Sequence, residues 1–223
     1  MQMPQNGGLI RTPYQAERLL IWAGQPGWAG GWRAEVAEVE FGDGGLCARG
    51  TQLATGPLPY RLDYRLDASA EGCVTRSLHI AAVGEGWERR LRLERDPGGE
   101  WTAAAESEGE LDLPAPGGDV LDLGEAVDCD LGFSPLTNTM PVLRHRLHRQ
   151  PGQADFVMAW ISVPDLGVHV SDQRYEHLGI SSDGATVKYA SLEDGRETFT
   201  ADLKLDHDGL VRHYPGLARR VTA

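Results

Sequence analysis

Two carboxylates lie two residues apart near the middle of the chain, at Asp128 and Asp130. Residues i and i+2 of an extended strand project from the same face, so these side chains are expected to be neighbours. Neighbouring like charges push pKa values apart, which would suit a general acid and a general base. The alternative is structural, with each aspartate paired to a nearby arginine, and the pattern alone favours this alternative.

Residues 131–149, which follow, contain no acidic side chain and predict a corner between two strands. Hydroxyl and amide side chains lie next to Pro135 or between it and Pro141, and they can hydrogen-bond to local backbone; they are Ser134, Thr137, Asn138 and Thr139. Arginines then alternate with apolar residues, which predicts a basic strand carrying Arg144 and Arg146. Two hypotheses remain open: the arginines pair with Asp128 or Asp130, or the loop and the arginines bind the polar head of a ligand.

Other residues that could do chemistry lack the spacing that such chemistry needs. The seven histidines form no recognised metal-binding motif. Residues 206–209 resemble the start of a calcium-binding loop but lack its closing glutamate, so they predict a hairpin turn. No nucleophile elbow or phosphate-binding glycine motif is present. The sequence therefore predicts neither a metal nor a cofactor; it leaves catalysis open and favours a protein that is not an enzyme.

The elements that must position these residues are predicted to be strands. Residues 61–67, 89–95 and 198–206 each alternate apolar and polar side chains with period two, which indicates strands with one buried face. Between such runs lie Asp-Gly pairs, which suit tight hairpin turns, at 43–44, 183–184, 194–195 and 208–209. We therefore predict a mainly β protein, built from sequential hairpins in an antiparallel sheet.

One predicted strand, residues 156–163, is apolar on both faces. Phe156, Met158 and Trp160 project to one side, and the opposite row consists of Val157, Ala159, Ile161 and Val163. An antiparallel strand with one face in water would not have this composition. Either another part of the chain covers the second face, or that face lines an apolar cavity, which would be a ligand pocket.

The N-terminal residues differ in character from the rest. Residues 1–15 predict a flexible tail, because they offer little to bury, and residues 16–223 predict a single β-rich domain. A short helix is predicted at Pro13–Trp22, since Thr12 can cap it and Pro13 suits its first turn. No secretion-signal pattern and no apolar run long enough to span a bilayer is present.

Charge and cysteine content limit the partners. The net charge of −12 argues against non-specific binding to nucleic acid or to an anionic membrane surface. Local basic patches are still open at Arg144–Arg149 and Arg219–Arg220. The three cysteines are odd in number and have no CxxC spacing, so we expect reduced thiols in a cytoplasmic protein. We expect no nucleic-acid partner and no integral membrane association, and we leave the oligomeric state open.

Three motifs in the second half together resemble one known family. They are the Asp-x-Asp strand with the Ser-Pro-x-Thr-Asn-Thr-x-Pro loop after it, a Gln-x-Tyr at Gln173 and Tyr175, and a closing Asp-x-Asp-Gly-Leu-Val-x-x-Tyr-Pro-Gly at Asp206–Gly216. In this order and spacing they are similar to the bacterial family labelled "putative glycolipid-binding", formerly a domain of unknown function. The first half resembles the family more loosely, at Trp22, Glu35, Gly50, Tyr60 and Trp101.

The resemblance implies a strongly curved antiparallel sheet, an open half-barrel similar to that of lipoprotein carriers, and a non-catalytic role in binding a glycolipid-like or other amphiphilic lipid. The ligand-binding residues would then be Thr137, Asn138, Arg144 and Arg146 for the head, Phe156, Met158 and Trp160 for the tail, and Tyr175. Structural motif residues would be Asp128, Asp130, Gln173, Asp206 and Tyr214. The alternatives are a structural or interaction module without a ligand, and an enzyme acting on a sugar or lipid through Asp128 or Asp130.

Overall fold

The structure is a computed structural model that describes residues 16–25, 30–42, 45–110 and 112–222. These residues form fourteen strands: β1 Ala16–Gly24, β2 Arg33–Gly42, β3 Gly45–Ala54, β4 Tyr60–Ser69, β5 Thr75–Gly84, β6 Trp87–Arg95, β7 Trp101–Gly109, β8 Asp128–Leu131, β9 Gln153–Ile161, β10 Val168–Ser181, β11 Gly184–Glu193, β12 Arg196–Leu205, β13 Val211–Tyr214 and β14 Ala218–Arg220. The described helical elements lie between β7 and β9: 3₁₀ turns at Val120–Leu123 and Leu136–Asn138, and α1 at Thr139–Arg144.

All fourteen strands belong to one curved, open sheet, in the order β7 to β1 and then β14 to β8. The pairs are antiparallel except at the end of the order, where β8 runs parallel to β9. Predicted Asp-Gly turns are confirmed: Asp194 and Gly195, for example, both have positive φ between β11 and β12. The 43–44 pair lies outside the described residues. The mainly β, curved antiparallel fold is thus confirmed, with one parallel pair added.

The predicted helix at Pro13–Trp22 is wrong over its described part, because β1 begins at Ala16. Leu20 and Trp22 are buried while Leu19 is exposed, which is the period of a strand. β1 is paired on both sides, with β2 and with β14 about 200 residues further along the chain. This pairing outweighs the local helix-start signals. The predicted tail at residues 1–15 lies outside the described residues.

The inner face of β1–β7 is apolar and is covered by the segment that follows it. Side chains of this segment join the same core cluster as Leu62, Leu78 and Leu91; they are Leu123, Ala126, Cys129, Leu131, Leu136 and Met140. Arg89, which faces inward on β6, donates hydrogen bonds to the carbonyls of Leu113, Pro114 and Asp165. The interior of the curved sheet is therefore filled by the chain itself.

Strand β9 lies between two cores, which explains its two apolar faces. Ala159 and Ile161 belong to the core under β1–β7, whereas Phe156 and Met158 belong to a second core with β10–β13. All four side chains are buried, and Trp160 is partly exposed. Of the two alternatives for this strand, the covered face is the one found.

The predicted basic strand after the loop is wrong, because residues 139–144 form α1 and residues 145–149 form turns. Pro141 is in the first turn of α1, where its missing N–H costs no hydrogen bond. Arg146 has a positive φ of 54°, which ends the helical path. Among the described residues, no helix is long and apolar enough to cross a membrane.

We expect Leu136→Ala to lower the free energy of unfolding by about 2–5 kcal/mol, because Leu136 is 1% exposed in the filling segment. Urea denaturation followed by tryptophan fluorescence measures the change. The matched control is Leu121→Ala, since Leu121 is 85% exposed and its truncation should change stability by no more than about 0.5 kcal/mol. Equal effects of the two substitutions would contradict the filled interior.

Candidate functional site

Asp128 and Arg144 form an ion pair inside the protein. The Asp128 carboxylate has no exposed surface, and Arg144 Nη2 donates to its Oδ1 at 2.5 Å. Arg144 also donates to the carbonyls of Gly72 and Cys73, at 2.7 and 2.9 Å. Burial raises the pKa of Asp128, and the guanidinium opposes that shift. The pair thus ties the start of β8 and the end of α1 to the β4–β5 turn.

Asp130 is held by neutral groups rather than by an arginine. Thr137 Oγ1 donates to its Oδ1 at 2.8 Å, and Gln173 Nε2 donates to its Oδ2 at 2.7 Å. Burial raises the pKa of Asp130, and these two hydrogen bonds lower it. The Tyr175 hydroxyl lies 3.1 Å from Gln173 Oε1 and 3.0 Å from Asn138 Oδ1, so the network continues into the loop.

A third buried carboxylate, Glu35 on β2, joins the loop from the opposite side. Tyr64 and Ser134 donate their hydroxyl protons to Glu35 Oε1, at 2.5 and 2.8 Å. Among the described residues, Oε2 has no hydrogen bond. Burial raises the pKa of Glu35 to about 7. Beside it is a cavity of about 20 Å³, which has room for about one water molecule.

The sequence predictions did not include Glu35 among the candidate site residues, although its pattern contained a usable signal. β2 buries Ala37 and Val39 on alternate positions, and Glu35 falls on the same face. An acidic residue on the buried face of a strand indicates a charge or proton that the interior must accommodate. The partners Tyr64 and Ser134 could not be assigned from spacing, because they come from β4 and from the loop.

A cleft of about 360 Å³ opens where Arg144 and Arg146 reach the surface. Its apolar wall comes from Phe41 at the end of β2 and Leu143 on α1, which are half-buried, with the buried Leu46 of β3 behind them. The adjoining ends of β2 and β3 and the β4–β5 turn complete it, at Gly42, Gly45, Ser69, Ala70, Gly72 and Cys73. Within the described residues, the exposed Arg146 side chain makes no hydrogen bond or ion pair, so its five N–H donors are available.

The predicted site residues occupy different environments. Most of the predicted ligand contacts are buried, namely Thr137, Asn138, Phe156, Met158 and Tyr175. Arg144 and Arg146 line the cleft, and Trp160 is on β9 with its ring 5.4 Å from that of His169. The remaining motif residues stabilise β12–β14: Asp206 accepts from the backbone of Asp208 and Leu210 and from Arg220, and Tyr214 packs on Tyr189.

Metal binding has no candidate in the part of the chain that the structure describes, where no three His, Cys, Asp or Glu side chains are grouped as ligands. The buried carboxylates instead have protein partners. The arrangement can therefore fix a loop, hold a proton on Glu35, and present arginine donors beside an apolar wall.

These features define a class: a mainly β protein with a curved open sheet, filled by its own chain and carrying an amphiphilic cleft at one end. The sequence model of the family described as "Putative glycolipid-binding" matches residues 20–220, and the chain belongs to that family. A crystal structure of a DUF1089 family protein from Pseudomonas aeruginosa is 30% identical, with a TM-score of 0.64, over 88% of this chain and 99% of that one. A search of curated proteins finds no match.

We expect Glu35 to lower the stability of the protein as the pH rises from about 4.5 to 7. In this range the Glu35 carboxyl ionises in the unfolded chain but keeps its proton in the folded one. The folded state then binds more protons, so the free energy of unfolding decreases with rising pH, by roughly 3 kcal/mol in total. Glu35→Gln should remove this loss. Its free energy of unfolding should therefore decrease less between pH 5 and pH 8 than that of the wild type. Urea unfolding at both pH values measures it; parallel pH profiles for wild type, Glu35→Gln and the exposed control Glu38→Gln would contradict it.

Arg144→Gln is expected to cost about 3–5 kcal/mol, because it leaves the Asp128 carboxylate buried without its charged partner. Adding Asp128→Asn to that variant should restore part of the loss, since the uncompensated charge is gone. Guanidinium denaturation of both variants measures the difference. The exposed arginine gives the control, Arg146→Gln, which should change stability by less than about 0.5 kcal/mol.

Proposed function

We propose that the protein binds an amphiphilic, glycolipid-like ligand without chemically changing it, and that the head of the ligand occupies the cleft beside Arg144 and Arg146. The observation that carries this proposal is the composition of the cleft: the half-buried apolar side chains of Phe41 and Leu143 line it together with two arginines. Small-molecule sites in proteins combine a largely apolar lining with a few convergent polar groups. Membership of a glycolipid-binding family supports a binding role.

The two arginines have different parts in this proposal. Arg144 is fixed by Asp128 and by two backbone carbonyls, and its guanidinium lies over the Phe156 ring at 5.7 Å. Arg146 is exposed and can reorient toward a ligand. Guanidinium groups donate several hydrogen bonds in a fixed geometry, which suits adjacent sugar hydroxyls or an acidic head group.

The buried residues of the motif are assigned a positioning role. Thr137 and Asn138 hold the loop that precedes α1, and Tyr175 joins that loop to β10. Phe156 and Met158 pack behind α1 and support Arg144 from the interior. An acyl chain would instead follow the apolar wall of the cleft, where each buried CH₂ contributes about 0.8 kcal/mol.

The contacts of Asp128 and Asp130 favour binding over catalysis. Both carboxylates are engaged, Asp128 by Arg144 and Asp130 by Thr137 and Gln173; Asp128 is buried, Asp130 is half-buried, and neither lines the cleft. A general acid or base must approach the reacting atom within about 3 Å. The binding proposal needs no such approach, since these carboxylates only have to hold the loop and Arg144.

Isothermal titration with dodecyl maltoside below its micelle concentration tests the proposal, with maltose as the head-group control. We expect saturable binding of dodecyl maltoside by the wild type. Arg146→Gln should weaken it roughly tenfold, the effect of losing one hydrogen bond from a charged donor. Arg149→Gln is the matched control, because Arg149 is exposed nearby but does not line the cleft. Absence of binding by the wild type, or equal weakening by both variants, would reject the proposal.

A further inference from the structure

A row of basic side chains crosses three neighbouring strands on the outer face of the sheet, far along the chain from the cleft. Lys204 on β12 is directly opposite His213 on β13, and His213 is directly opposite Arg219 on β14. Residues directly opposite one another in a sheet project from the same face. The three side chains, which we call the basic row, therefore lie side by side.

Carboxylates do not neutralise this row among the described residues. Lys204 Nζ donates to the hydroxyl of Thr186 at 3.0 Å, and the exposed side chain of Arg219 makes no hydrogen bond or ion pair with the described residues. The charges of Lys204 and Arg219 lie two strands apart, with the neutral His213 between them. The chain as a whole has a net charge of −12, so a local concentration of cations is an exception to its composition. A bound anion would supply the negative charge that this row lacks.

The hydrogen bonds of His213 leave one donor available. Gly216 N donates to Gln25 Oε1 at 2.9 Å, which orients the amide so that Gln25 Nε2 faces His213 Nε2, also at 2.9 Å. The amide nitrogen can only donate, so the imidazole accepts through Nε2 and carries its proton on Nδ1. Burial lowers the pKa of His213, and the charges of Arg219 and Lys204 lower it further, which favours this neutral form.

The basic row forms one side of a surface groove of about 690 Å³. Two further cations line the groove, Arg212 and Arg220, and its carboxylates are Asp183 and Asp206. Asp206 is engaged by Arg220 at 2.8 Å, and Asp183 lies 4.0 Å from Arg212. Hydroxyl groups complete the lining at Ser181, Thr186 and Thr222. The volume exceeds that of a single oxyanion and has room for a sugar-sized group.

We propose that this groove is a second binding site, which takes a phosphate monoester of a sugar-sized molecule, with the phosphate on Lys204, His213 and Arg219. Lysine and arginine donate charge-assisted hydrogen bonds to phosphate oxygens, and the Nδ1–H of His213 adds a neutral donor between them. The hydroxyls and the two carboxylates of the groove suit the hydroxyl groups of the sugar. The proposal stands on different residues from the cleft and does not depend on the function proposed above.

Titration calorimetry of the full-length protein with glucose 6-phosphate at constant ionic strength tests the site, beside glucose and potassium chloride as controls. We expect glucose 6-phosphate to bind at least about tenfold more tightly than glucose, because only the ester engages the basic row. The double variant Lys204→Gln/Arg219→Gln should lose this preference, whereas Arg92→Gln, an exposed arginine of β6, should keep it. Sedimentation with vesicles that contain phosphatidic acid shows whether the site also binds a phosphate monoester that is carried by a lipid.

A second measurement separates binding from folding. In phosphate-free buffer the double variant should melt at about the same temperature as the wild type, because Lys204 and Arg219 are exposed and neither forms an ion pair with a described residue. Glucose 6-phosphate should raise the melting temperature of the wild type and of Arg92→Gln only. Binding to vesicles that the double variant abolishes would support phosphate recognition with a lipid as its source. No phosphate response by the wild type to either ligand, or equal loss in Arg92→Gln and the double variant, would overturn the proposal.

Discussion

The inner face of the curved sheet is apolar from β1 to β7, and it has to be covered. An open half-barrel leaves such a face to a ligand, but here the chain between β7 and β10 covers it with side chains that are 0–1% exposed, among them Leu131 and Met140. Close packing of this kind leaves no room for an acyl chain unless the covering segment is displaced. A ligand that binds without such displacement must therefore use the ends or the outer surface of the sheet, and the cleft and the groove are in those places.

Covering an apolar face with a segment that carries Asp128, Asp130 and several hydroxyls favours a placement in which the buried polar groups find partners. The loop at 132–138 supplies many of these partners and links the networks: Ser134 bonds to Glu35, Thr137 to Asp130, and Asn138 to Tyr175. Hydrogen bonds are directional, whereas apolar packing is not, so these contacts select one placement of the segment over others that would bury similar area. The same placement carries Arg144 to Asp128 and to the edge of the cleft.

Local patterns predicted the strands, the hairpin turns and the curved antiparallel sheet, because side-chain alternation and turn chemistry are properties of neighbouring residues. They failed where distant pairing decides the conformation. β1 carries helix-start signals but is held between β2 and β14, and β8 pairs in parallel with β9 across the helix that separates them. The pairing of Asp128 with Arg144 was among the open hypotheses because both flank one loop. Neither the cleft nor the partners of Glu35 could be predicted, since they join elements about 30 to 100 residues apart.

Charge distribution separates the kinds of ligand that these two sites can take. With a net charge of −12 the protein repels polyanions at long range, so an extended nucleic acid would have to approach against the field of the whole molecule. Salt screens the field of the whole molecule at distances beyond about 8 Å. The small anion that we propose would instead lie within hydrogen-bonding distance of Lys204 and Arg219, where this screening is weak. Local cations on an acidic surface thus select small charged or polar groups over large polyanions. The cleft at Arg146 combines local cations with an apolar wall, and for this reason we propose an amphiphile as its ligand.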